Sequence, residues 1–331
     1  MIRDASFDLL KAIAIFMVVL WHAISDFSDR TQFVLTVNFI IGVNMPLFFV
    51  ISGYFAVGMI IRGDKLKLLN RLIGYWWPVT VFSVIAAIYN CFAVDEIPVA
   101  GIPLKALKMF LFGAWFFYAL SICDVVTFAA YRVAAKKWAC SCVAFAALFV
   151  LPAFWYKGPA LNMLPFFLFG AFILPKVLQM SHRALVGVSV IGAALYLSAV
   201  LFVGDFWARG LTLYSNYLEI YHFDVGSLAR FAIRLGLGVS GSIALIGLVR
   251  GLLAVFPTLG RLAPIGEQTM GVYFIHRYGL AALTGCAFFT HSLLGFCVLA
   301  LIVFLLCSLV VALSKKDRIL AKVIWGPRIK L

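Results

Sequence analysis

The sequence predicts an all-α protein, a polytopic transmembrane helical bundle of about ten spans with both termini in the cytoplasm. The chain has 331 residues, of which 65% are hydrophobic and 12% are charged, whereas a soluble domain has about 45–50% apolar and about 25% charged residues. A membrane-spanning helix needs about 20 mainly apolar residues, and ten stretches of the chain meet this requirement. The basic residues alternate between these stretches in the way that a multi-pass protein requires.

The ten predicted spans form one membrane core, residues 1–314, followed by a short basic cytoplasmic tail, 315–331. The first apolar run is expected to be a retained helix and not a signal peptide, because it carries ionisable residues and lacks a small-residue cleavage site. The stretch 204–227 is long, aromatic and partly polar, and could be an external loop, an interfacial helix or a re-entrant piece. The predicted spans are 6–25, 38–61, 71–93, 112–132, 138–156, 161–179, 184–203, 228–250, 269–290 and 293–314.

The distribution of lysine and arginine supports this order of spans. With the N-terminus in the cytoplasm, 18 of the 27 basic residues fall in inner segments and five in outer ones, as the positive-inside rule expects. The formal charge of +14 could suggest nucleic-acid binding, but the charges mark loop ends and not one basic face. The seven cysteines lie mostly in apolar runs without zinc-like spacing. We therefore predict membrane lipids around the chain, no nucleic-acid partner and no metal site.

Lys11 and His22 share one face of the first predicted helix. They are eleven residues apart, which rotates by roughly 20° and advances by about 16 Å, so a cation near the inner surface is followed by an imidazole in the opposite half of the membrane. Asp8 lies one turn before Lys11 and could pair with it, and Asp26 lies one turn beyond His22. Ionisable groups in lipid indicate a functional site, with a topology anchor at Lys11 and a packing role for His22 as the alternatives.

The second predicted span contains a helix breaker followed by small residues. Pro46 removes a backbone donor and is expected to kink or interrupt the helix, either as a packing kink or beside a wet cavity. Ser52 and Gly53 would permit close approach of another helix. The chain has no Gly-x-Ser-x-Gly, Walker, dinucleotide-binding or His-Glu-x-x-His motif, so we do not expect Ser52 to be a nucleophile.

Three further groups of polar residues could carry function. Lys67 and Arg71 belong to the densest basic cluster outside the tail, which is either a topology signal or a site for the phosphates of a cytoplasmic ligand. Arg230 and Arg234 lie one turn apart in the eighth span and need an anion, a polar cavity or a structural ion pair. His276 is a second intramembrane histidine and could also be a hydrogen-bonded core residue.

Short motifs follow one another along the chain in a specific order. Asp8, Lys11 and His22 come first, with spacings of three and eleven residues. A pattern of proline, leucine, aromatic residues and Ser-Gly-Tyr follows at 46–54, and a basic stretch ends in Arg-Leu-x-x-Tyr at 71–75. The later motifs are Trp-Phe at 115–116, Pro-Phe-Phe-x-x-Gly at 165–170, and Thr269, Tyr273 and His276. In this order and spacing the chain resembles the acyltransferase family 3 membrane proteins, bacterial O-acyltransferases that modify glycans, along nearly its whole length.

The resemblance implies transfer of an acyl group, most often acetyl, from cytoplasmic acyl-CoA to a hydroxyl of a cell-envelope or undecaprenyl-linked glycan. It implies a multi-pass protein of the bacterial cytoplasmic (inner) membrane, with partner proteins of polysaccharide assembly as a further expectation. The expected catalytic residues are His22 as general base, Asp8 and His276. The expected binding residues for the phosphates of the donor, acyl-CoA or more specifically acetyl-CoA, are Lys11, Lys67 and Arg71. The expected substrate or cavity residues are Ser52, Arg230 and Arg234.

The chain departs from the family pattern at three places. Lys11 stands where the family has an arginine, so the planar guanidinium fork is lost there. Residues 113–114 are Gly-Ala where a polar residue often precedes the Trp-Phe motif. The basic motif commonly has two arginines, whereas here Asn70 and Lys67 accompany a single Arg71. These differences concern donor binding more than the fold.

The alternative function is a polytopic transporter or exporter of a glycan or its precursor. Buried charges and a broken second helix also suit a translocation path. Many transporters, however, contain two halves with matching broken helices, and the sequence shows no such repeat.

Overall fold

The protein is all α in a computed structural model that describes residues 4–93, 99–150, 157–206, 208–209, 225–283 and 292–326. Within these ranges the chain forms α-helices with short 3-10 and π segments and no β-strand. This agrees with the predicted fold class, since an α-helix satisfies its backbone groups internally and can therefore cross a lipid bilayer.

The helices are numbered here in chain order. They are α1 (Ala5–Phe27), α2 (Val34–Ile41), α3 (Asn44–Arg62), α4 (Lys65–Ala93), α5 (Ile102–Gly113), α6 (Trp115–Val133), α7 (Lys137–Val150), α8 (Lys157–Leu168), α9 (Leu174–Val177), α10 (His182–Phe202), α11 (Val225–Val255), α12 (Thr269–Leu283), α13 (Leu293–Lys316) and α14 (Arg318–Trp325). The 3-10 segments are Arg30–Phe33, Val99–Gly101 and Pro257–Gln268, and a π segment covers Phe169–Ile173.

Eight helical segments in the described part of the chain are long and apolar enough to cross a membrane. They correspond to the first four, the sixth to eighth and the tenth predicted spans. The fifth and ninth are represented by α7 with 14 residues and α12 with 15 residues, which is shorter than the roughly 20 residues that a span needs. The remaining parts of these two predictions, 151–156 and 284–290, lie outside the described residues.

The second span is interrupted next to its proline. Gly42 and Val43 form a turn between α2 and α3, and Pro46 lies in the first turn of α3, where its missing N–H needs no helical partner. In one continuous helix the proline ring would clash with the carbonyl four residues earlier, at Gly42. The break therefore falls where the proline forbids the helix to continue, and the predicted interruption is confirmed.

Only the two ends of the predicted stretch 204–227 are described. Asn38 on α2 donates from Nδ2 to the Gly204 carbonyl at 2.7 Å and accepts from the Phe206 backbone N–H at 3.0 Å. Gly204 has φ +82°, a left-handed conformation that favours glycine, and Phe206 is fully buried. The start of the stretch is thus held against α2, and residues 210–224 lie outside the described part.

The chain divides into two compact units. The first comprises Met1–Phe55 and Leu164–Val311, and the second comprises Ala56–Met163 and Ala312–Leu331. In the first unit, α1 packs against α2, α11, α12 and the 3-10 segment Pro257–Gln268, while α10 packs along α11. In the second unit, α4 packs against α5, α6 and α14, and α6 packs against α7.

The predicted tail contains a short helix within the second unit. Asp317 caps α14 by accepting from the backbone N–H groups of Ile319 and Leu320 at 2.9 Å each. Trp77 on α4 donates from its indole to the Val323 carbonyl at 2.8 Å. The residues after Gly326 lie outside the described part of the chain.

Candidate active site

The predicted pair of Asp8 and Lys11 forms on α1. The Lys11 Nζ lies 2.6 Å from the Asp8 Oδ1, and the two side chains are 27% and 5% exposed. Because Asp8 is nearly buried, its charge requires a close cation. A Cβ at Gly266, in the 3-10 segment, would overlap the Asp8 carbonyl oxygen, so this segment packs directly on the same turn of α1.

The beginning of α1 is fixed by a cap and an ion pair. Asp4 accepts from the Ser6 N–H at 3.0 Å and the Ser6 hydroxyl at 2.6 Å, and its other oxygen lies 2.6 Å from the Arg250 Nη2. Partial burial raises the pKa of Asp4, but the hydrogen bonds from Ser6 and the charge of Arg250 outweigh it and leave the pKa below its usual value. Asp4 therefore stays ionised and ties α1 to α11.

His22 lies beside a carboxylate near the opposite end of α1. Its Nδ1 is 4.0 Å from the Asp26 Oδ1, one turn farther along the helix. The other oxygen of Asp26 accepts from the Arg277 Nη2 at 3.2 Å. The His22 side chain remains 25% exposed, so a reacting group can approach it, and Asp26 is held in place by a cation from α12.

The second predicted histidine lies next to the first. The ring centroids of His22 and His276 are 5.1 Å apart at an angle of 41°. His276 is only 3% exposed, and its Nδ1 lies 3.0 Å from the Val272 carbonyl and 2.8 Å from the Tyr273 carbonyl. Carbonyl oxygens only accept, so Nδ1 carries the proton and Nε2 is the acceptor in a neutral ring. Nε2 has no hydrogen-bond partner among the described residues.

The side chains of His22, Asp26 and His276 form a group that can move a proton. Asp26 lies on the Nδ1 side of His22, which leaves Nε2 of His22 as the nitrogen that faces away from the carboxylate. A histidine supported by a carboxylate in this way can accept a proton and stabilise the resulting positive charge. In the described part of the chain no cluster of three His, Cys, Asp or Glu side chains suits a metal ion.

Two predicted donor-binding residues lie on α4 in the second unit. Lys67 is exposed in the first turn, which Asp64 caps by accepting from the Lys67 N–H at 2.9 Å. The Arg71 Nε lies 2.8 Å from the Oδ2 of Asp124 on α6, and the Tyr75 hydroxyl donates to the same oxygen at 3.3 Å. Lys11 belongs to the first unit, so the predicted cluster of Lys11, Lys67 and Arg71 stays a prediction.

The small residues after the helix break allow two backbones to touch. A Cβ at Gly53 would overlap the Phe167 carbonyl oxygen, and a Cβ at Gly170 would overlap the Val50 carbonyl oxygen. Ser52 is half-buried in this part of α3. The predicted close approach at Gly53 is thus confirmed, and a substrate role for Ser52 stays a prediction.

The predicted arginine pair lies near the start of α11. The Arg230 Nη2 donates to the Ser227 hydroxyl at 3.1 Å, and Arg234 is 5% exposed. Asp224, which precedes them in the sequence, lies outside the described residues. Their cavity role stays a prediction, and the burial of Arg234 shows that its charge is carried inside the protein.

Asp26 and Asp124 were not predicted as site residues. The signal for Asp26 was its position four residues after His22, which places both on one helix face. The signal for Asp124 was a single carboxylate inside an apolar run, which requires a cation at membrane depth. Its partner Arg71 is 53 positions away, so spacing alone could not identify the pair.

The fold and this site define a class: an all-α, multi-pass membrane protein with a histidine pair and a carboxylate between its helices. The acyltransferase family 3 (acyltransferase domain) matches residues 4–312, and the chain belongs to this family. The match covers nearly the whole chain, including His22 and His276, the Asp8–Lys11 pair and the Arg71–Asp124 pair.

One relative of known name shares part of the sequence. The chain is 28% identical over 233 residues to nodulation protein NolL of Sinorhizobium fredii (strain NBRC 101917 / NGR234), which covers 66% of this chain and 62% of that protein. The chain therefore spans less than two thirds of the length of this relative. No solved structure matches the chain.

Proposed function

We propose that the protein is an O-acyltransferase that transfers an acyl group, most often acetyl, from cytoplasmic acyl-CoA to a hydroxyl of a cell-envelope or lipid-linked glycan. The family supports acyl transfer, and the group formed by His22, Asp26 and His276 supports a reaction that needs a general base. The single observation that carries the proposal is the partly exposed His22 ring with Asp26 at 4.0 Å and His276 beside it.

His22 acts as the general base on the glycan hydroxyl. Its Nε2 takes the hydroxyl proton while the sugar oxygen attacks the carbonyl carbon of the thioester. The carbon–sulfur bond then breaks, and the CoA thiolate leaves with the proton that His22 held. Positioned general acid–base catalysis of this kind contributes roughly 10²–10⁴-fold in rate, and the negative Asp26 stabilises the imidazolium that forms between the two steps.

His276 orients the acceptor in this scheme. Because its Nδ1–H is directed at two backbone carbonyls, the neutral ring offers only an acceptor at Nε2. It cannot donate to the oxyanion that develops on the thioester carbonyl, but it can accept from a second hydroxyl of the sugar. The buried His276 would thus hold the acceptor while the more exposed His22 takes the proton.

The two ends of α1 match the two ends of an acyl-CoA donor. The phosphates and the thioester of this molecule are separated by a long arm, and Lys11 and His22 are separated by about 16 Å along the helix axis. The residues proposed from the sequence for the phosphates are Lys11, Lys67 and Arg71, because lysine and arginine suit phosphate by charge. Arg230, Arg234 and Ser52 are second-rank contacts for the donor or the acceptor.

A glycan transporter is the second candidate, and the break between α2 and α3 is the observation that favours it, since transporters use broken helices to form substrate sites. The two candidates differ in chemistry. A transporter moves the glycan without changing its mass, whereas an acyltransferase adds the mass of an acyl group.

The test is mass spectrometry of cell-surface glycans from cells that lack the gene and carry a plasmid copy at matched membrane expression. We expect the wild-type copy and His182→Ala, an exposed histidine at the start of α10, to restore an acyl mass that His22→Ala does not restore. Glycan that is exported with an unchanged mass in the presence of the wild-type copy would favour the transporter.

A further inference from the structure

The chain turns at the end of the last predicted span and forms a short helix. α13 ends at Lys316, Asp317 caps the next helix, and α14 covers Arg318–Trp325. Eight residues of α-helix extend about 12 Å, which is too short to cross a bilayer. Because α14 starts directly after a span ends, it begins close to a membrane surface. The predicted topology makes this the inner surface.

One side of α14 is held within the second unit. The Trp77 indole on α4 donates to the Val323 carbonyl at 2.8 Å, and the Trp325 indole donates to the Ser314 hydroxyl at 3.2 Å. The Lys315 Nζ lies 5.0 Å from the centre of the Trp325 ring, a distance typical of a cation–π contact. Tryptophan is enriched where a membrane meets water. These contacts fix which sides of α14 stay exposed.

The remaining surface of α14 has an apolar face next to a basic face. At about 100° per residue, Ile319, Leu320 and Val323 lie within one arc of about 100°. All three side chains are exposed, Ile319 by 73%. Arg318 and Lys322 are exposed on the adjoining arc. A basic tail that lay only in water would gain nothing from an exposed apolar face, whereas this pattern is typical of a helix that lies in the plane of a membrane surface.

The charge of the segment selects the kind of lipid. Its one carboxylate, Asp317, is directed at the backbone N–H groups of Ile319 and Leu320. Basic residues close to a membrane surface attract anionic lipids, and a zwitterionic lipid without net charge would gain only from the apolar face. The exposed cations over 315–322 are Lys315, Lys316, Arg318 and Lys322.

We propose that α14 is an interfacial helix whose basic face binds the headgroup of an anionic phospholipid at the inner membrane surface. Ile319, Leu320 and Val323 enter the acyl layer, where the lipid chains cover them, and Arg318 and Lys322 contact the phosphate. Lipid binding at α14 does not require acyl transfer, so either property can fail without the other.

The test counts bound lipid by native mass spectrometry. Purified full-length protein in neutral detergent is titrated with phosphatidylglycerol, which is anionic, or with zwitterionic phosphatidylcholine of the same acyl chains. We expect wild type to bind its first phosphatidylglycerol more tightly than phosphatidylcholine. Arg318→Gln with Lys322→Gln should weaken the binding of phosphatidylglycerol about fivefold for each charge removed, equivalent to about 1 kcal/mol each, and leave the binding of phosphatidylcholine unchanged.

The matched control removes the same charge from another predicted inner segment. Lys136→Gln with Lys137→Gln changes two exposed lysines and should keep the wild-type affinity for phosphatidylglycerol. Lys322→Gln alone should show half of the effect on a logarithmic scale, and it replaces the double variant if that variant does not accumulate. An unchanged affinity in the α14 variant, or an equal loss in the control, would overturn the proposal.

Substitutions in the apolar face separate a lipid from a second copy of the chain. Ile319→Ser with Val323→Ser should weaken the binding of both lipids, because less apolar surface enters the acyl layer, and the mass of the protein should stay that of the wild-type species. A wild-type dimer that this variant dissociates, with no change in lipid affinity, would make α14 an interface between copies and would contradict the proposal.

Discussion

The chemistry of the candidate site depends on how one imidazole is supported. Asp26 faces the Nδ1 of His22 at 4.0 Å and is itself held by Arg277 at 3.2 Å. A carboxylate in this position stabilises a protonated imidazole and restricts the rotation of the ring. The partly exposed His22 is therefore better suited to accept a substrate proton than His276, which is buried and whose Nδ1 is already directed at two backbone carbonyls.

Replacing Asp26 by Asn should slow acyl transfer about tenfold, because the loss of one nearby charge removes on the order of 1.4 kcal/mol from the stabilisation of the imidazolium. The measurement is kcat at saturating acetyl-CoA. The matched control is Asp29→Asn, three residues farther on, where the exposed side chain caps a 3-10 turn and Asn can cap equally well. Equal rates for Asp26→Asn and Asp29→Asn would contradict the role given to Asp26.

At this scale the sequence predicted contacts within one helix better than contacts between helices. Asp8 and Lys11 were expected to pair because residues three apart share a helix face, and their atoms lie 2.6 Å apart. His22 and His276 were named separately, but their contact depends on how α12 packs on α1. Asp124 escaped prediction because a lone carboxylate in an apolar run does not reveal which distant cation neutralises it.

At the scale of elements, the second span and the sixth cross at a contact that only glycine permits. Gly53 and Gly170 each face a backbone carbonyl of the opposite segment, and the second of them lies in the π segment Phe169–Ile173. Small residues at such crossings bring helix backbones together in membranes, where apolar burial drives association less than in water. Ser52 and Tyr54 lie on either side of Gly53 at this crossing. The Tyr54 ring stacks on Phe7 of α1, with ring centroids 4.6 Å apart.

Gly53→Ala should destabilise the protein by about 1–3 kcal/mol, because the new methyl group overlaps a backbone carbonyl that cannot move without shifting its helix. The matched control is Gly74→Ala in α4, where a Cβ would meet nothing within 4 Å and alanine is the better helix former. Thermal unfolding in detergent should show a lower midpoint for Gly53→Ala and an equal or higher one for Gly74→Ala. Equal midpoints for both would contradict the close crossing.

The positions of most membrane spans follow from the apolar composition of the chain. Apolar composition correctly located eight spans, because a long apolar run has no other stable conformation in lipid. It predicted the break at Pro46 for a steric reason and placed it within four residues. The fifth and ninth predicted spans are described over 14 and 15 helical residues, and the rest of each lies outside the described part of the chain.

At the scale of the whole molecule, the membrane topology of the chain decides whether the proposed acyl transfer from cytoplasmic acyl-CoA is possible. The proposed donor is cytoplasmic acyl-CoA, so the scheme requires Lys11 to lie toward the inner side of the membrane and His22 farther out. The excess of lysine and arginine in the predicted inner segments supports this direction. The opposite orientation would place the cations on the wrong side for acyl-CoA.

Reporter fusions test the orientation. A green fluorescent protein fused after the last residue should be fluorescent and alkaline phosphatase at the same position inactive, because the C-terminus is predicted to be cytoplasmic. Alkaline phosphatase fused after Gly204, which follows the seventh predicted span, should be active. The reverse pattern at either position would contradict the predicted topology.

The central claim is that His22 catalyses acyl transfer from acyl-CoA to a glycan. The most direct measurement uses purified protein in liposomes with radiolabelled acetyl-CoA and lipid-linked glycan extracted from cells that lack the gene, and it follows both the label in glycan and the release of free CoA thiol. We predict glycan-dependent transfer by wild type and His182→Ala, and a rate lower by roughly 10²–10⁴-fold for His22→Ala. Transfer by His22→Ala at the wild-type rate, or no transfer by the wild type, would contradict the claim.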